Sequence, residues 1–336
     1  MSEDPGSDIE FKPARRENVS LIVGIAGASG SGKTKSALEL ATGLAGPDGK
    51  IFAIDTEAGR MKHYASEYKF VHGDMKPPFT PKRYMATIDK AEKAGAAVVV
   101  VDSASHEWEG DGGLHDMHNA IVAEQVERAR KAHTGNWEFD EAKTADRLSV
   151  GAWREPKAEH KRFVSRLLQC RAHLILCFRA DEKMRIEQVE DDRGRKKTVI
   201  IQAKDLPPNE RWSPICERRL PYELTLSLIL TPQSPGYPIP VKLQDQHRPM
   251  LPLDQLISAE AGRKLAAWAR GDAPPAPPSA DPEALARAQA SLAAAGKMST
   301  KTALNELWAS LPKEIIDALG GRPAFARVAA QIDAQD

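Results

Sequence analysis

This sequence of 336 residues has few cysteines, no net charge and no long apolar run. The three cysteines, Cys170, Cys177 and Cys216, lack CxxC spacing, which argues against a disulfide framework and against a zinc site. The longest apolar run, Ala96–Val101, has the length of a strand, whereas a membrane span needs ~18–20 apolar residues. The 47 basic and 47 acidic residues cancel, so any nucleic-acid surface has to be a local patch. We therefore expect a cytoplasmic protein with reduced thiols and no membrane segment.

Short apolar segments alternate with helical patterns in the first third of the chain. Ser20–Ala26, Ile51–Asp55 and Ala97–Asp102 predict buried strands, and Lys33–Leu44 and Pro81–Lys93 predict helices. Continuous apolar strands separated by helices are typical of a parallel sheet that is covered on both faces. The predicted fold class is α/β, with a mostly parallel sheet covered by helices.

The sequence as a whole predicts four regions. They are a flexible segment 1–17, a large domain 18–270, a Pro-rich linker 271–283 and a small helical domain 284–336. Within the large domain, the patterns that follow Asp102 predict helices over residues 114–148, Arg154–Arg171 and Ser258–Ala269. They also predict a strand His173–Phe178 and a hairpin of Met184–Val189 with Thr198–Gln202. The last predicted strands, Tyr222–Leu230 and Pro240–Leu243, lie around a turn-rich segment Thr231–Tyr237.

The segment Gly27–Thr34 matches the P-loop pattern G-x-x-x-x-G-K-[ST] in full, between a predicted strand and a predicted helix. Glycines let the backbone N–H groups of such a loop point at phosphate oxygens, and the helix N-terminus adds positive charge. Lys33 is expected to reach the β- and γ-phosphates and the Thr34 hydroxyl to hold Mg²⁺. The sequence thus predicts binding of ATP with Mg²⁺ at Gly27, Ala28, Ser29, Gly30, Ser31, Gly32, Lys33, Thr34 and Ser36.

Two acidic residues at strand ends extend this predicted site. Asp102 ends a strand that we expect beside the P-loop strand, where its carboxylate would join Thr34 on the metal; capping of the next turn is the alternative. Glu57 follows the second strand and is predicted to activate the attacking water, with Glu107 as the competing carboxylate. A role for Glu57 that is limited to holding its loop stays open.

Several basic and aromatic residues are candidates for contacts with DNA or with a neighbouring subunit. Lys157, Lys161 and Arg162 on one helix and Arg195 at the hairpin tip are candidate DNA contacts, although a solvated surface explains such charges equally well. The candidate trans-acting cations are Lys242 and Arg248. The candidate stacking platforms for single strands are Trp108, Trp137, Trp153 and Trp212, and burial in a core is the common alternative for tryptophan.

The order of these motifs resembles the RecA-type ATPase core. The P-loop is followed by a strand that ends in Ile54-Asp-Thr-Glu57 and later by Val100-Val-Asp-Ser103. In RecA-like proteins the glutamate after the second strand is catalytic, and ATP lies at subunit interfaces. The resemblance therefore implies that Glu57 is the catalytic glutamate and that the protein forms a ring or filament.

A closer resemblance, over about residues 11–270, is to phage and prophage AAA-family ATPases, some of which are regarded as RecA-like annealing or recombination proteins. The specific string is Val101-Asp-Ser-Ala-Ser-His-Glu-Trp-Glu-Gly110. The supporting segments are Phe11–Asn18, Gly27–Ser36, Trp212–Glu217, Tyr222–Thr225 and Val241–His247.

Three functions are consistent with these patterns. The first is an ATP-hydrolysing, RecA-like protein of phage origin that acts on single-stranded DNA. The second is a small-molecule or nucleotide kinase, with the hairpin at 184–202 as its lid. The third is an assembly switch without DNA, in which ATP orders the loops around residues 105–150. In each case the C-terminal helical domain is suited to contact a protein partner.

Overall fold

A computed structural model describes residues 11, 13–135, 138–190, 196–207, 210–272, 282–295 and 301–312, together with 315, 316, 319, 325, 328 and 329. The chain divides into two compact units, Met1–Asp272 and Ala273–Asp336. Arg195, Trp137 and most of the predicted linker 271–283 lie outside the described residues.

The first unit alternates strands and helices. Its strands are β1 (Ile22–Gly27), β2 (Lys50–Asp55), β3 (Val71–Asp74), β4 (Ala96–Asp102), β5 (His173–Glu182), β6 (Arg185–Glu190), β7 (Lys196–Ile201), β8 (Trp212–Pro214), β9 (Leu226–Thr231) and β10 (Ser234–Lys242). Its helices are α1 (Lys33–Ala45), α2 (Pro81–Lys93), α3 (His106–Glu109), α4 (Leu114–Ala132), α5 (Glu141–Ala152), α6 (Arg154–Leu168), α7 (Leu220–Glu223) and α8 (Ala259–Arg270).

The main sheet has the strand order β10-β9-β1-β5-β4-β2-β3. Six of these strands run parallel and β10 is antiparallel to β9, while an eighth strand, β8, pairs antiparallel with β5. The central parts of the inner strands are apolar because both faces of the sheet are covered, and β1 is buried along its whole length. The predicted fold class, a mostly parallel sheet covered by helices, is confirmed.

The strand order changes one detail of the prediction. Asp102 was expected on a strand beside the P-loop strand, but β5 lies between β1 and β4. The carboxyl ends still align across the sheet, since Gly27 pairs in register with Arg179, and Asp102 pairs with both Cys177 and Asp55. As a result, side chains from β2, β4 and β5 emerge at the same edge as the P-loop.

Helices pack on both faces of the sheet and hold this edge in place. On one face α1 packs against α8, so closely that a Cβ atom on Gly43 would lie 1.9 Å from the Ala259 carbonyl oxygen. On the other face α2 packs against α6, where Tyr84 and Phe163 meet with ring centroids 5.9 Å apart. The three cysteines are free and buried.

Several predicted boundaries were wrong. The predicted strand Tyr222–Leu230 begins with helix α7 and becomes a strand only at Leu226. The turn-rich segment Thr231–Tyr237 already enters strand β10 at Ser234, and Pro235 is tolerated there because β10 is an edge strand, where a missing N–H costs little. Strands β3 and β8 were missed, because each is short and only partly apolar.

The second unit contains the helices α9 (Pro282–Ala295) and α10 (Lys301–Ser310). Helix α9 begins inside the predicted linker. A small core forms around Leu304 and Phe325, and the Phe325 ring meets Trp308 edge-on at 4.7 Å. In neither unit does a described helix have the length and apolarity needed to cross a membrane.

Candidate active site

A phosphate-binding loop connects β1 to α1. Gly30 and Gly32 have φ values of 79° and 83°, in the left-handed region that favours glycine, and Gly32 caps the N-terminus of α1. Position 27 has no room for a side chain, because a Cβ atom on Gly27 would lie 2.5 Å from the Leu230 carbonyl oxygen. The loop therefore requires glycine for its backbone path, and it places backbone N–H groups and a helix N-terminus at one site.

A cleft of about 780 Å³ opens over this loop. Seven of the nine predicted phosphate-binding residues line it, namely Gly27, Ala28, Ser29, Gly30, Gly32, Lys33 and Thr34. Ser31, within the loop, and Ser36, on α1, are instead buried, at 0% and 4% exposure. The Ser31 hydroxyl has no hydrogen-bond partner among the described residues. The cleft is also lined by Glu57, Arg60, His63, Tyr64, Asp102, Glu109, Arg179, Ala180, Asp181 and Ile215.

The first turn of α1 connects the loop to β4. The Thr34 hydroxyl donates a 2.6 Å hydrogen bond to Oδ2 of Asp102. The Lys33 ammonium donates to the Ala28 carbonyl oxygen at 3.1 Å, which curls this side chain over the loop. Burial raises the pKa of Asp102, while the Thr34 hydrogen bond and the charge of Lys33 act in the opposite direction.

Thr34 and Asp102 together offer the hard oxygen ligands that Mg²⁺ prefers. Among the described residues there is no cluster of three or more His, Cys, Asp and Glu side chains that could hold a metal ion. A nucleotide-bound Mg²⁺ does not need such a cluster, because phosphate oxygens and waters supply most of its ligands. The pair therefore fits the metal that the loop implies.

Asp55 shapes the loop that presents Glu57. Its carboxylate is fully buried, accepts hydrogen bonds from the backbone N–H groups of Glu57 (2.8 Å) and Met61 (2.9 Å), and contacts Nε2 of His72 at 3.1 Å. Gly59, with φ 84°, completes the turn. The sequence did not single out Asp55, although an acidic residue at the end of an apolar strand was its signal.

Glu57 lies in the cleft between two guanidinium groups. Its Oε2 accepts a hydrogen bond from Nη1 of Arg60 at 2.8 Å, and its Oε1 accepts one from Nε of Arg179 at 3.1 Å. Burial alone would raise the pKa of Glu57, but the hydrogen bonds and charges of Arg60 and Arg179 hold that pKa below its usual value. The carboxylate is therefore ionised at neutral pH.

Glu107, the competing carboxylate, does not line the cleft. Its side chain is 1% exposed and contacts Nδ1 of His160 on α6 at 3.0 Å. The residues next to it are also turned inward: Ser103 and Ser105 are fully buried, and Nδ1 of His106 lies 2.8 Å from the Thr56 hydroxyl. Of the two glutamates, only Glu57 reaches the cleft.

The candidate DNA contacts on α6 and the candidate stacking tryptophans differ in exposure. Lys157, Lys161 and Arg162 are exposed, and Arg162 forms an ion pair with Glu159. Trp108 and Trp153 stack with ring centroids 5.7 Å apart at an angle of 19°. Trp212, in contrast, is buried at 9% exposure and belongs to the core.

Neither candidate trans-acting cation lies in the cleft. The Lys242 ammonium donates to the carbonyl oxygens of Tyr222 (2.7 Å) and Leu224 (2.6 Å), at the end of β10 that points away from the P-loop. Arg248 is 53% exposed and pairs with Asp245 at 3.0 Å.

Two cleft arginines were missed by the sequence reading. Arg179 directly follows the apolar run of β5, so the rule that selected Asp102 at the end of β4 would also have found Arg179. Arg60 follows a glycine turn, and nothing in its sequence surroundings separates it from an ordinary surface arginine.

Comparison with known proteins identifies the family. A sequence model of the AAA domain family AAA_24 matches residues 20–209, which is more than half of the chain. The chain therefore belongs to this family of AAA domains, and the P-loop site is that of a nucleotide-binding ATPase. Curated proteins gave no significant match.

Proposed function

We propose that the protein is a Mg²⁺-dependent, RecA-like ATP hydrolase of phage origin that acts on single-stranded DNA in annealing or recombination. The 2.6 Å hydrogen bond from Thr34 to Asp102, in a cleft that also contains Glu57, carries the ATPase part of this proposal. The cleft thereby brings together, at one edge of the sheet, a phosphate-binding loop, two proposed metal ligands and an ionised carboxylate.

Each of these residues has a role in hydrolysis. The loop N–H groups and Lys33 would hold the phosphates of ATP, and Thr34 and Asp102 would hold Mg²⁺, which would supply charge neutralisation at the phosphate oxygens. Glu57 orients a water molecule and accepts its proton as the water oxygen attacks the γ-phosphorus. The bond from the γ-phosphorus to the bridging oxygen breaks, and ADP and inorganic phosphate leave.

Single-stranded DNA is proposed as the partner for two reasons. The first is the resemblance to phage annealing and recombination ATPases. The second is a surface on and beside α6, where Lys157 and Lys161 are exposed one turn apart and Trp108 and Trp153 stack. Cations that track phosphates, together with aromatic rings, are what sequence-independent binding of single strands uses.

The resemblance also supports a homo-oligomer, a ring or filament with ATP between subunits. Arg248 is the better of the two candidate cations for reaching a neighbouring subunit, because it is exposed, whereas two carbonyl oxygens hold Lys242. A protein partner is proposed for the C-terminal unit.

The kinase alternative receives no support from the cleft. A kinase lid would bring arginines of the β6–β7 hairpin over the phosphates, yet the described part of the hairpin contributes no residue to the cleft lining. Arg185, at the base of the hairpin, forms ion pairs with Glu187 and Glu210 instead.

The test measures phosphate release from ATP by the full chain, with Mg²⁺, in the presence and absence of single-stranded DNA, alongside its mass in solution. We expect slow basal turnover, stimulation by DNA and an ATP-dependent oligomer. Turnover that DNA does not change would contradict the DNA part of the proposal, and phosphate transfer to a small acceptor would favour a kinase.

The DNA surface has its own test. In the double variant Lys157→Ala/Lys161→Ala, the slope of log DNA affinity against log salt concentration should become shallower. The change should correspond to the loss of roughly one to two phosphate contacts. The matched control is Lys90→Ala/Lys93→Ala, which removes two exposed charges from α2. Equal losses in both variants would mean that α6 is not the DNA-binding surface.

A further inference from the structure

Arg179 is one of two arginines in the cleft to which the proposed hydrolysis assigns no role. It lies on β5, in register with Gly27, where the P-loop begins. Its backbone is fixed, since its N–H donates to the Ser105 hydroxyl at 2.9 Å and its carbonyl oxygen accepts from the N–H of Ile215 at 2.8 Å. The backbone is thus rigid while the side chain, 44% exposed, lines the cleft together with Lys33 and Thr34.

The guanidinium of Arg179 is only partly engaged. Among the described residues, it donates a side-chain hydrogen bond through Nε alone, to Glu57. Its two terminal nitrogens remain as donors within the cleft. A guanidinium binds carboxylate and phosphate oxygens with the same planar fork, so Glu57 and a phosphate group can compete for it.

We propose that Arg179 exchanges partners during the ATPase cycle, between the Glu57 carboxylate and the terminal phosphate of ATP. This inference rests on the proposed ATPase function. When Arg179 binds Glu57, as here, the glutamate is tied at both oxygens and is a weak base. When Arg179 turns to the terminal phosphate, Glu57 keeps only Arg60 and regains an oxygen for the attacking water.

The same movement stabilises the transition state. Negative charge develops on the oxygens of the transferring phosphoryl group, and a guanidinium placed there lowers the barrier. The water proton passes to Glu57 while the water oxygen bonds to phosphorus, and the bond to the ADP oxygen breaks. ADP has no terminal phosphate, so Arg179 returns to Glu57 once phosphate leaves.

Arg60 supplies the matched control. It donates to the other oxygen of Glu57 at 2.8 Å, so removing either arginine deprives the glutamate of one partner. Arg60, however, follows Glu57 by three residues on the same loop and is 68% exposed, whereas Arg179 comes from the strand that adjoins the P-loop strand. Only Arg179 is predicted to distinguish ATP from ADP.

The experiment compares Arg179→Ala, Arg179→Lys and Arg60→Ala in the full chain. Calorimetry measures the affinity for a non-hydrolysable ATP analogue and for ADP, and phosphate release gives kcat. In Arg179→Ala, the analogue should bind about tenfold more weakly, ADP should bind within about twofold of wild type, and kcat should fall on the order of 10²-fold. Arg179→Lys should recover part of kcat, because it restores the charge without the fork.

The control and the pH profile complete the test. Arg60→Ala should leave the ratio of analogue to ADP affinity within about twofold of wild type. In Arg179→Ala, the acidic limb of kcat/KM should move to higher pH, since the arginine no longer lowers the pKa of Glu57. An acidic limb that stays in place would mean that the catalytic base is not the carboxylate that Arg179 contacts, and it would overturn the inference.

Two further outcomes would overturn the inference. The first is an equal loss of affinity for the analogue and for ADP in Arg179→Ala; the second is an equal change of the affinity ratio in both alanine variants. If Arg179→Ala does not fold, Arg179→Lys with wild-type kcat and wild-type selectivity overturns it as well. A wild-type protein that does not bind ATP would instead refute the ATPase proposal itself, and this inference with it.

Discussion

Two clefts of about 780 Å³ lie at opposite ends of the parallel strands. The cleft at the amino ends is lined by Arg166, whose guanidinium forms ion pairs with Asp89 and Glu92. The cleft at the carboxyl ends is lined by loop N–H groups, Lys33, Thr34 and Asp102. The two are equal in size and differ in chemistry.

The difference teaches that volume alone does not identify a site. In the amino-end cleft, Arg166 is neutralised by two carboxylates of α2, an arrangement that joins α2 to α6. In the carboxyl-end cleft, the glycine-containing loop and the N-terminus of α1 present backbone N–H groups beside Lys33, and the carboxylates of Glu57 and Asp102 line the same cleft. We therefore expect variants of the carboxyl-end cleft to change activity, and variants of the amino-end cleft to change stability.

The largest effect is expected for Lys33→Ala. The variant loses the cation that we propose to hold the β- and γ-phosphates, so ATP hydrolysis should fall by at least about 10²-fold. Phosphate release at saturating ATP measures the loss, and an unchanged melting temperature shows that the fold is intact. Hydrolysis at the wild-type rate would mean that the nucleotide lies elsewhere.

Glu57→Gln should separate binding from chemistry. The amide keeps the shape of the side chain but cannot accept the water proton, so kcat should fall roughly 10²–10⁴-fold. Binding of a non-hydrolysable ATP analogue, measured by calorimetry, should persist. If kcat is unchanged, Glu57 only holds its loop.

Asp102→Asn should be less active and more stable than the wild-type protein. Because the pKa of Asp102 is raised by burial, the folded chain binds this proton more tightly than the unfolded chain, and the ionised carboxylate opposes folding as pH rises through that pKa. The variant should therefore melt at a higher temperature than wild type at pH 7, and the difference should shrink in acid.

A second measurement on Asp102→Asn tests the metal site. Mg²⁺ with the ATP analogue should raise the melting temperature of wild type and raise that of the variant less. Equal stabilisation of both proteins would remove Asp102 from the metal site.

The smallest effect on hydrolysis is expected for Arg166→Met, in the amino-end cleft. The rate should stay within about twofold of wild type, while unfolding free energy falls by roughly 1–3 kcal/mol, because Asp89 and Glu92 lose their partner. Denaturant titration measures the loss. Arg166 and the Arg171 backbone hold the pKa of Glu92 down despite partial burial, so this stability should be present at neutral pH and lost as pH falls through that lowered pKa.

The sequence predicted the local features of this site and missed those that depend on strand order. The P-loop was predictable because glycines, Lys33 and Thr34 act within one strand–loop–helix unit. The position of β5 between β1 and β4 was not, since apolar runs do not reveal which strands pair. For that reason Asp102 was expected beside the P-loop strand, and Arg179 was not recognised as a partner of Glu57.

Charge patterns on helices were the least informative signal. The basic residues of α6 looked alike in the sequence, yet His160 contacts buried Glu107 and Arg166 binds two carboxylates of α2, while Lys157 and Lys161 remain exposed. Burial and pairing arise from tertiary packing, which a list of charges does not contain.

Hydrogen exchange of the full chain, with and without Mg²⁺ and a non-hydrolysable ATP analogue, tests most directly which cleft binds the nucleotide. We predict that the analogue slows exchange at the loop Gly27–Thr34 and at the Glu57 turn and leaves the amino-end cleft around Arg166–His173 unchanged. Protection at Arg166–His173 without protection at Gly27–Thr34 would contradict the assignment of the nucleotide to the carboxyl edge of the sheet.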